Sequence, residues 1–181
     1  MDVYRFPALV MAGALVACGG QARGPEGRPL EEPGARASLV DSTGARVGVA
    51  TFSDSGGSGH LALSVTGLTP GEHGMHIHET GSCTPPDFKS AGNHFNPAAK
   101  KHGLLNPEGP HAGDLPNLLV EDDGSADTTL TVDRNLLAEG PSSMLGTQQR
   151  AFVIHADPDD QKTDPSGNSG ARVVCGVIER G

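Results

Sequence analysis

The stretch whose reading decides the fold runs from Gly74 to Pro116, GMHIHETGSCTPPDFKSAGNHFNPAAKKHGLLNPEGPHAGDLP. It holds five of the chain's eight histidines, and Asp114 follows the last of the five, His111, by three residues. His76 and His78 form an H-x-H pair. On a β-strand, side chains two apart leave the same face, so such a strand presents two imidazoles side by side. After Glu79 the apolar alternation stops and does not return until about Asn117. A structureless connection of that length inside a domain needs something to organise it. His94, His102, His111 and Asp114 are spaced to do so, because imidazole and carboxylate together suit zinc and copper. The loop is expected to fold around metal.

Any one of these histidines alone reads as an ordinary solvated or hydrogen-bonded side chain. Six of them, counting His155 downstream, with one carboxylate and a strand pair, do not read that way. Zinc hydrolases of the H-x-H-x-D type are excluded because the position two after His78 is Thr80. The helical H-E-x-x-H signature of zinc proteases is absent.

At 181 residues the chain suits one ordinary domain with a proper core. Its 26 Gly and 14 Pro point to many turns and few long helices. With no Trp and one Tyr, the core must come mainly from Val, Leu, Ile and Ala. The formal charge of −9 argues against nucleic acid as a partner, since phosphate binding wants a basic face.

Residues 1–17 are an apolar run with one Arg, too short to span a bilayer comfortably, in the layout of an export leader. Leu15-Val16-Ala17-Cys18 resembles a bacterial lipobox, which makes Cys18 the lipidated residue; an ordinary secretory signal with an incidental cysteine is the competing reading. Residues 18–34, rich in Gly, Pro and charge, read as a flexible tether, and residues 35–181 as the folded domain. An envelope location follows, anchored by lipid and facing the periplasm. With Cys18 set aside, Cys83 and Cys175 remain as a pair in an oxidising compartment, where a disulfide is expected.

Alternation begins near Arg36. Ala37–Val40 and Val47–Phe52 flank a Ser42-Thr43-Gly44 turn, and His60–Thr66 alternates strictly before a turn into the H-x-H strand. Asn117–Glu121 and Asp127–Val132 are expected to pair across Asp123-Gly124. Arg150–Ala156 and Arg172–Glu179 complete eight short strands, an all-β Greek-key barrel or sandwich.

The motifs GMHIHE, NHFNP, KHG, HAGDLPN, IHADPDD and GNSGARVVCGVI, together with the His78-to-Cys83 spacing, resemble the bacterial exported branch of the copper/zinc superoxide dismutases over about residues 37–181. The resemblance implies copper on His76, His78, His94 and His155, and zinc on His94, His102, His111 and Asp114, with His94 shared. It implies dismutation of superoxide to O2 and hydrogen peroxide, with His94 carrying a proton and Arg172 beside copper. It also implies that Asp159 links a copper histidine to a zinc histidine, a role for which Asp157, Asp160 and Asp164 compete. His60 and His73 match no ligand position and read as surface residues, and Met75 reads as packing. Lys89 and Lys162 are candidates for attracting the anion or simply solvated lysines. A copper-holding module without turnover is the rival from another class. Monomer and homodimer are both open.

Overall fold

The computed structural model describes Met1 and residues 34–55, 57–138 and 140–181. The leader, Cys18 and nearly all of the tether lie outside the described residues. The described residues from Gly34 onward belong to one compact unit, Glu31–Gly181.

Nine strands are present among the described residues: β1 (Ala35–Asp41), β2 (Arg46–Ser55), β3 (Ser58–Val65), β4 (Gly71–His73), β5 (Met75–His78), β6 (Leu118–Val120), β7 (Ala126–Val132), β8 (Ala151–His155) and β9 (Arg172–Arg180). Two single 3-10 turns, at Lys89–Ala91 and Arg134–Leu136, are the only helical elements among those residues. Seven strands form one curled antiparallel sheet in the order β5-β8-β9-β1-β2-β3-β7, and β4 pairs with β6 in a second, two-stranded sheet. The last strand, β9, returns to lie beside β1, which is the Greek-key device. The curl is visible in the core, where Phe52 of β2 meets Phe152 of β8 edge-on, with ring centroids 6.1 Å apart.

The sequence pattern explains which faces are buried. β1 and β3 alternate buried and outward residues, sending Ala35, Ala37, Leu39, Leu61, Leu63 and Val65 inward. At the first turn, Asp41 Oδ1 accepts the Thr43 and Ala45 N–H groups, closing the β1–β2 hairpin as the sequence predicts. β5 and β8 are buried on both faces. Their inner residues Met75, Ile77, Phe152 and Ile154 join the main core, while His76, His78 and His155 are also fully or nearly fully enclosed.

Three expectations need correction. The segment after the turn that follows Thr66 is not one strand: the chain breaks at Gly74 into β4 and β5, which gives nine strands among the described residues where eight were expected. Residues 118–120 and 126–132 turn tightly at Glu121–Ser125 but do not pair with each other. β7 is in register with β3 over its whole length, from Val65↔Ala126 to Gly59↔Val132, so β6 is left to pair with β4. His73 is buried, 2% exposed, with its ring nitrogens 2.6 Å from the His155 carbonyl oxygen and 2.8 Å from that of Thr69. It ties β4 to the end of β8.

Candidate metal centre

β5 forms the floor of the site, and the long loop comes back along its free edge. The Ile77 N–H donates to the Gly113 carbonyl (2.8 Å), Phe95 N–H to the Ile77 carbonyl (2.8 Å), and Glu79 N–H to the Asn93 carbonyl (2.9 Å). These contacts set His94 beside His78 and Asp114 beside His76. Gly113 is needed there, because a Cβ at that position would overlap the Ile77 carbonyl oxygen. On the other side of β5, β8 delivers His155. An irregularity in the β8–β9 ladder between Ile154 and His155 places His155 opposite Arg172.

One nitrogen of most of these rings is already committed. His76 Nε2–H donates to Asp159 Oδ2 (2.7 Å), His78 Nδ1–H to the Gly92 carbonyl (3.0 Å), and His155 Nδ1–H to the Gly170 carbonyl (3.2 Å). His102 Nε2–H donates to the Asp159 carboxylate at 3.0 Å. These partners fix each tautomer and leave the opposite nitrogen with a free lone pair. The free atoms are His76 Nδ1, His78 Nε2, His94 Nε2, His102 Nδ1, His111 Nδ1 and His155 Nε2, all buried without a hydrogen-bond partner. Six orphaned polar atoms would be a severe desolvation burden if nothing were to meet them.

They fall into two sets. The ligand atoms of His76, His78, His94 and His155 lie within 4.8 Å of one another. Four imidazole nitrogens suit copper(II). In the other set, the Nδ1 atoms of His94, His102 and His111 lie 3.1, 3.1 and 3.2 Å from Asp114 Oδ1. Ligands about 2.0 Å from a tetrahedral ion stand about 3.3 Å apart, so these four atoms fit zinc. Asp114 Oδ2 is taken by the N–H groups of Gly103 (2.8 Å) and His111 (2.9 Å), which leaves Oδ1 for the ion. The atoms that lie within 4.8 Å of one another on this side are those of His76, His94, His102 and Asp114, with His111 outside that group, and the His76 and His94 rings stack at 3.8 Å. His76 has only one nitrogen left after Asp159, so it can serve one ion. His94 directs Nδ1 to Asp114 and keeps Nε2 free, so it can serve two.

Burial keeps the copper-side rings neutral, the form a metal needs. It pushes His78 well below the ordinary imidazole value, His94 down to about 4 and His155 down to about 3, and neighbouring rings add to the depression of all three. Burial acts the same way on His102, but the facing carboxylates of Asp114 and Asp159 outweigh it and raise His102 to about 9. Against the opposing pull of burial, the facing histidines hold both carboxyls far below the usual carboxylate range.

The four downstream aspartates now separate. Asp159 alone bridges His76 and His102. Asp160 turns back on its own loop, accepting from Lys162 N–H, Thr163 N–H and Asn168 Nδ2. Asp164 takes the His102 N–H and faces the Lys101 ammonium. Asp157 bonds neither ring.

A cleft of about 470 Å³ opens onto the site, lined in part by His94, His111, His155, Glu79, Asn93 and Arg172. Arg172 is half-buried, donating to the carbonyls of Phe88 (2.8 Å) and Gly92 (2.6 Å). Lys89 lies 2.8 Å from Asp87, and neither it nor Lys162 lines the cleft. Cys83 and Cys175 are disulfide-bonded, tying the loop to β9. Sequence reading missed Arg150, which donates to the Glu79 carbonyl (2.7 Å) and lies 4.4 Å over the ring of Phe95, the residue after His94. It also missed Asn117, which exchanges two hydrogen bonds with the Asp159 backbone, although Asn117 closes the HAGDLPN motif.

Comparison with known proteins points the same way. The family model described as copper/zinc superoxide dismutase matches residues 46–178. The chain is 46% identical over 146 residues to a Cu-Zn superoxide dismutase of Aquifex aeolicus, covering 80% of this chain and 85% of that one. Among solved structures, a superoxide dismutase-like protein from Bacillus subtilis superposes with a TM-score of 0.74 at 43% identity, covering 78% and 96% of the two chains. The Cu/Zn superoxide dismutase from Brucella abortus gives 0.64 at 32% identity, covering 80% and 99%. Two histidine clusters sharing one ring, on this sheet and with these relatives, have one reading: the chain belongs to the copper/zinc superoxide dismutase family.

Proposed function

We propose that the chain disproportionates superoxide, taking two superoxide anions and two protons to O2 and hydrogen peroxide, with copper held by His76, His78, His94 and His155 and zinc by His94, His102, His111 and Asp114. The observation that carries this reading is His94, whose two nitrogens face the two clusters beside an open cleft. Copper bound there supplies a one-electron couple that superoxide can both reduce and reoxidise, and zinc supplies a redox-inert anchor. The chain's own residues do the rest. Asp159 holds the His76 and His102 rings in orientation. His94 Nε2 is where a proton is held and handed to the departing peroxide. Two of the five Arg172 donors are used by carbonyls, so the guanidinium is fixed with donors left to bind a monoanion.

Metal content and superoxide turnover, measured together on the purified protein, test this. One copper and one zinc per chain with fast turnover are expected; a fully loaded protein without turnover would favour the copper-holding module. We further propose that Cys18 carries a lipid anchor and that the protein faces the periplasm, supported by the Leu15-Val16-Ala17-Cys18 sequence closing an apolar leader. Fatty-acid labelling that persists in Cys18→Ser would refute the anchor.

A further inference from the structure

Residues 159–164 are laced to the zinc-side loop at both ends of the stretch from His102 to Leu115. The His102 N–H donates to Asp164 Oδ1 (2.6 Å), Leu104 N–H to Gln161 Oε1 (3.2 Å), Leu105 N–H to the Gln161 carbonyl (3.1 Å) and Asn106 Nδ2 to the Lys162 carbonyl (3.1 Å). At the far end of the loop, Gln161 Nε2 donates to the Leu115 carbonyl (3.2 Å). The Gln161 N–H donates to Asp159 Oδ1 (2.6 Å). One residue therefore touches both arms of the loop and the carboxylate that holds His76 and His102.

Its backbone is unusual as well. Gln161 has φ +61°, a left-handed conformation that non-glycine residues adopt seldom. Opposite it stands Gly103, φ +103°, where any Cβ would overlap the Gln161 carbonyl oxygen. Such a backbone persists only where its surroundings over-determine it, and here the surroundings are the zinc-side loop.

We propose that Gln161 is a positioning residue for the zinc half of the site, its side-chain amide clasping Leu104 and Leu115 together over Asp159 so that His102 and Asp114 are held at bonding distance from the ion. This rests on zinc being held by His94, His102, His111 and Asp114. The amide is suited to the task because it must accept from one arm and donate to the other. Leucine fills the space but does neither. Glutamate keeps the acceptor for Leu104 and sets a carboxylate against the Leu115 carbonyl.

The test is zinc release from the metal-loaded, full-length protein into an excess of a chromophoric zinc chelator. Residues that orient metal ligands typically contribute 10- to 100-fold in affinity, so Gln161→Leu and Gln161→Glu should release zinc about 10-fold faster or more. The visible band of copper, recorded before chelator is added, should also move, because Asp159 joins the clasp to His76. Gln161→Gly removes the side chain while relieving the positive φ. If only backbone shape matters, it will hold zinc as long as the wild type; the clasp requires it to release zinc as fast as Gln161→Leu. Release within twofold of wild type in the leucine and glutamate variants, with an unmoved copper band, overturns the proposal. Should Gln161→Leu not accumulate folded, Gln161→Glu carries the same comparison. Asp114→Ala, run alongside, separates the two claims: fast release there with slow release in the Gln161 variants sinks the clasp alone, and slow release there sinks the ligand assignment beneath it.

Discussion

A single oxygen atom organises the zinc side. Three imidazole Nδ1 atoms stand 3.1–3.2 Å from Asp114 Oδ1, while its other oxygen is occupied by the Gly103 and His111 amides. On the proposed assignment, substituting Asp114 by Ala removes one zinc ligand, frees both amides and opens the loop, yet touches none of the four nitrogens on the copper side. We expect Asp114→Ala to lose zinc and stability together, since metal-binding energy at such a site is folding energy. Copper should stay near stoichiometric. Metal analysis of the purified variant after loading checks this, and equal loss of both metals would mean that the division into two sets is wrong.

At the scale of elements, what was legible in the sequence follows a physical line. Strand faces were legible because burial has a period of two, and HLALSV lies in β3 with its alternate residues inward as written. The metal loop was legible because so many histidines have no competing explanation. Strand neighbours were not: a pattern tells a strand which face is buried but not which edge it shares, and β6 went to β4 because β7 was already committed to β3. His73 was misread for a related reason, its burial being set by carbonyls from Thr69 and from His155, 82 positions downstream. Gln161, in a polar loop, carried no local signal at all. The Cys83–Cys175 pair was legible, and the structure gives it a further consequence. The bond closes 92 residues, about 4–5 kcal/mol in the chain-entropy model. It anchors the segment whose Phe88 and Gly92 carbonyls hold Arg172 and whose Gly92 carbonyl also holds His78. Reduction should therefore speed hydrogen exchange at residues 80–93 far more than in β2 and β3, which neither carry a cysteine nor pair with β9. A uniform rise across the sheet by mass spectrometry would contradict that.

At the scale of the whole molecule, an anion must approach a chain of net charge −9. Lys89 and Lys101 each stand beside a carboxylate, at 2.8 and 2.9 Å, so their distant fields largely cancel. Arg172 is different: its two hydrogen-bond partners are neutral carbonyls, and it lines the cleft with His155 and His94. Its charge is placed where the potential decides capture, whatever the net charge elsewhere. Exposed charges are screened over about 10 Å at 0.1 M salt, so capture through Arg172 should weaken as salt rises. Arg172→Ala should leave both metals bound, since the guanidinium meets no ligand nitrogen, while turnover falls by about 10-fold or more, as loss of steering allows. The remaining rate should also depend less on salt. Arg172→Lys keeps the charge but cannot reach both carbonyls with a planar fork, and should fall between the two. Pulse radiolysis of metal-loaded variants across a salt series reads all three. An Arg172→Ala rate equal to wild type at low salt would remove the arginine from capture.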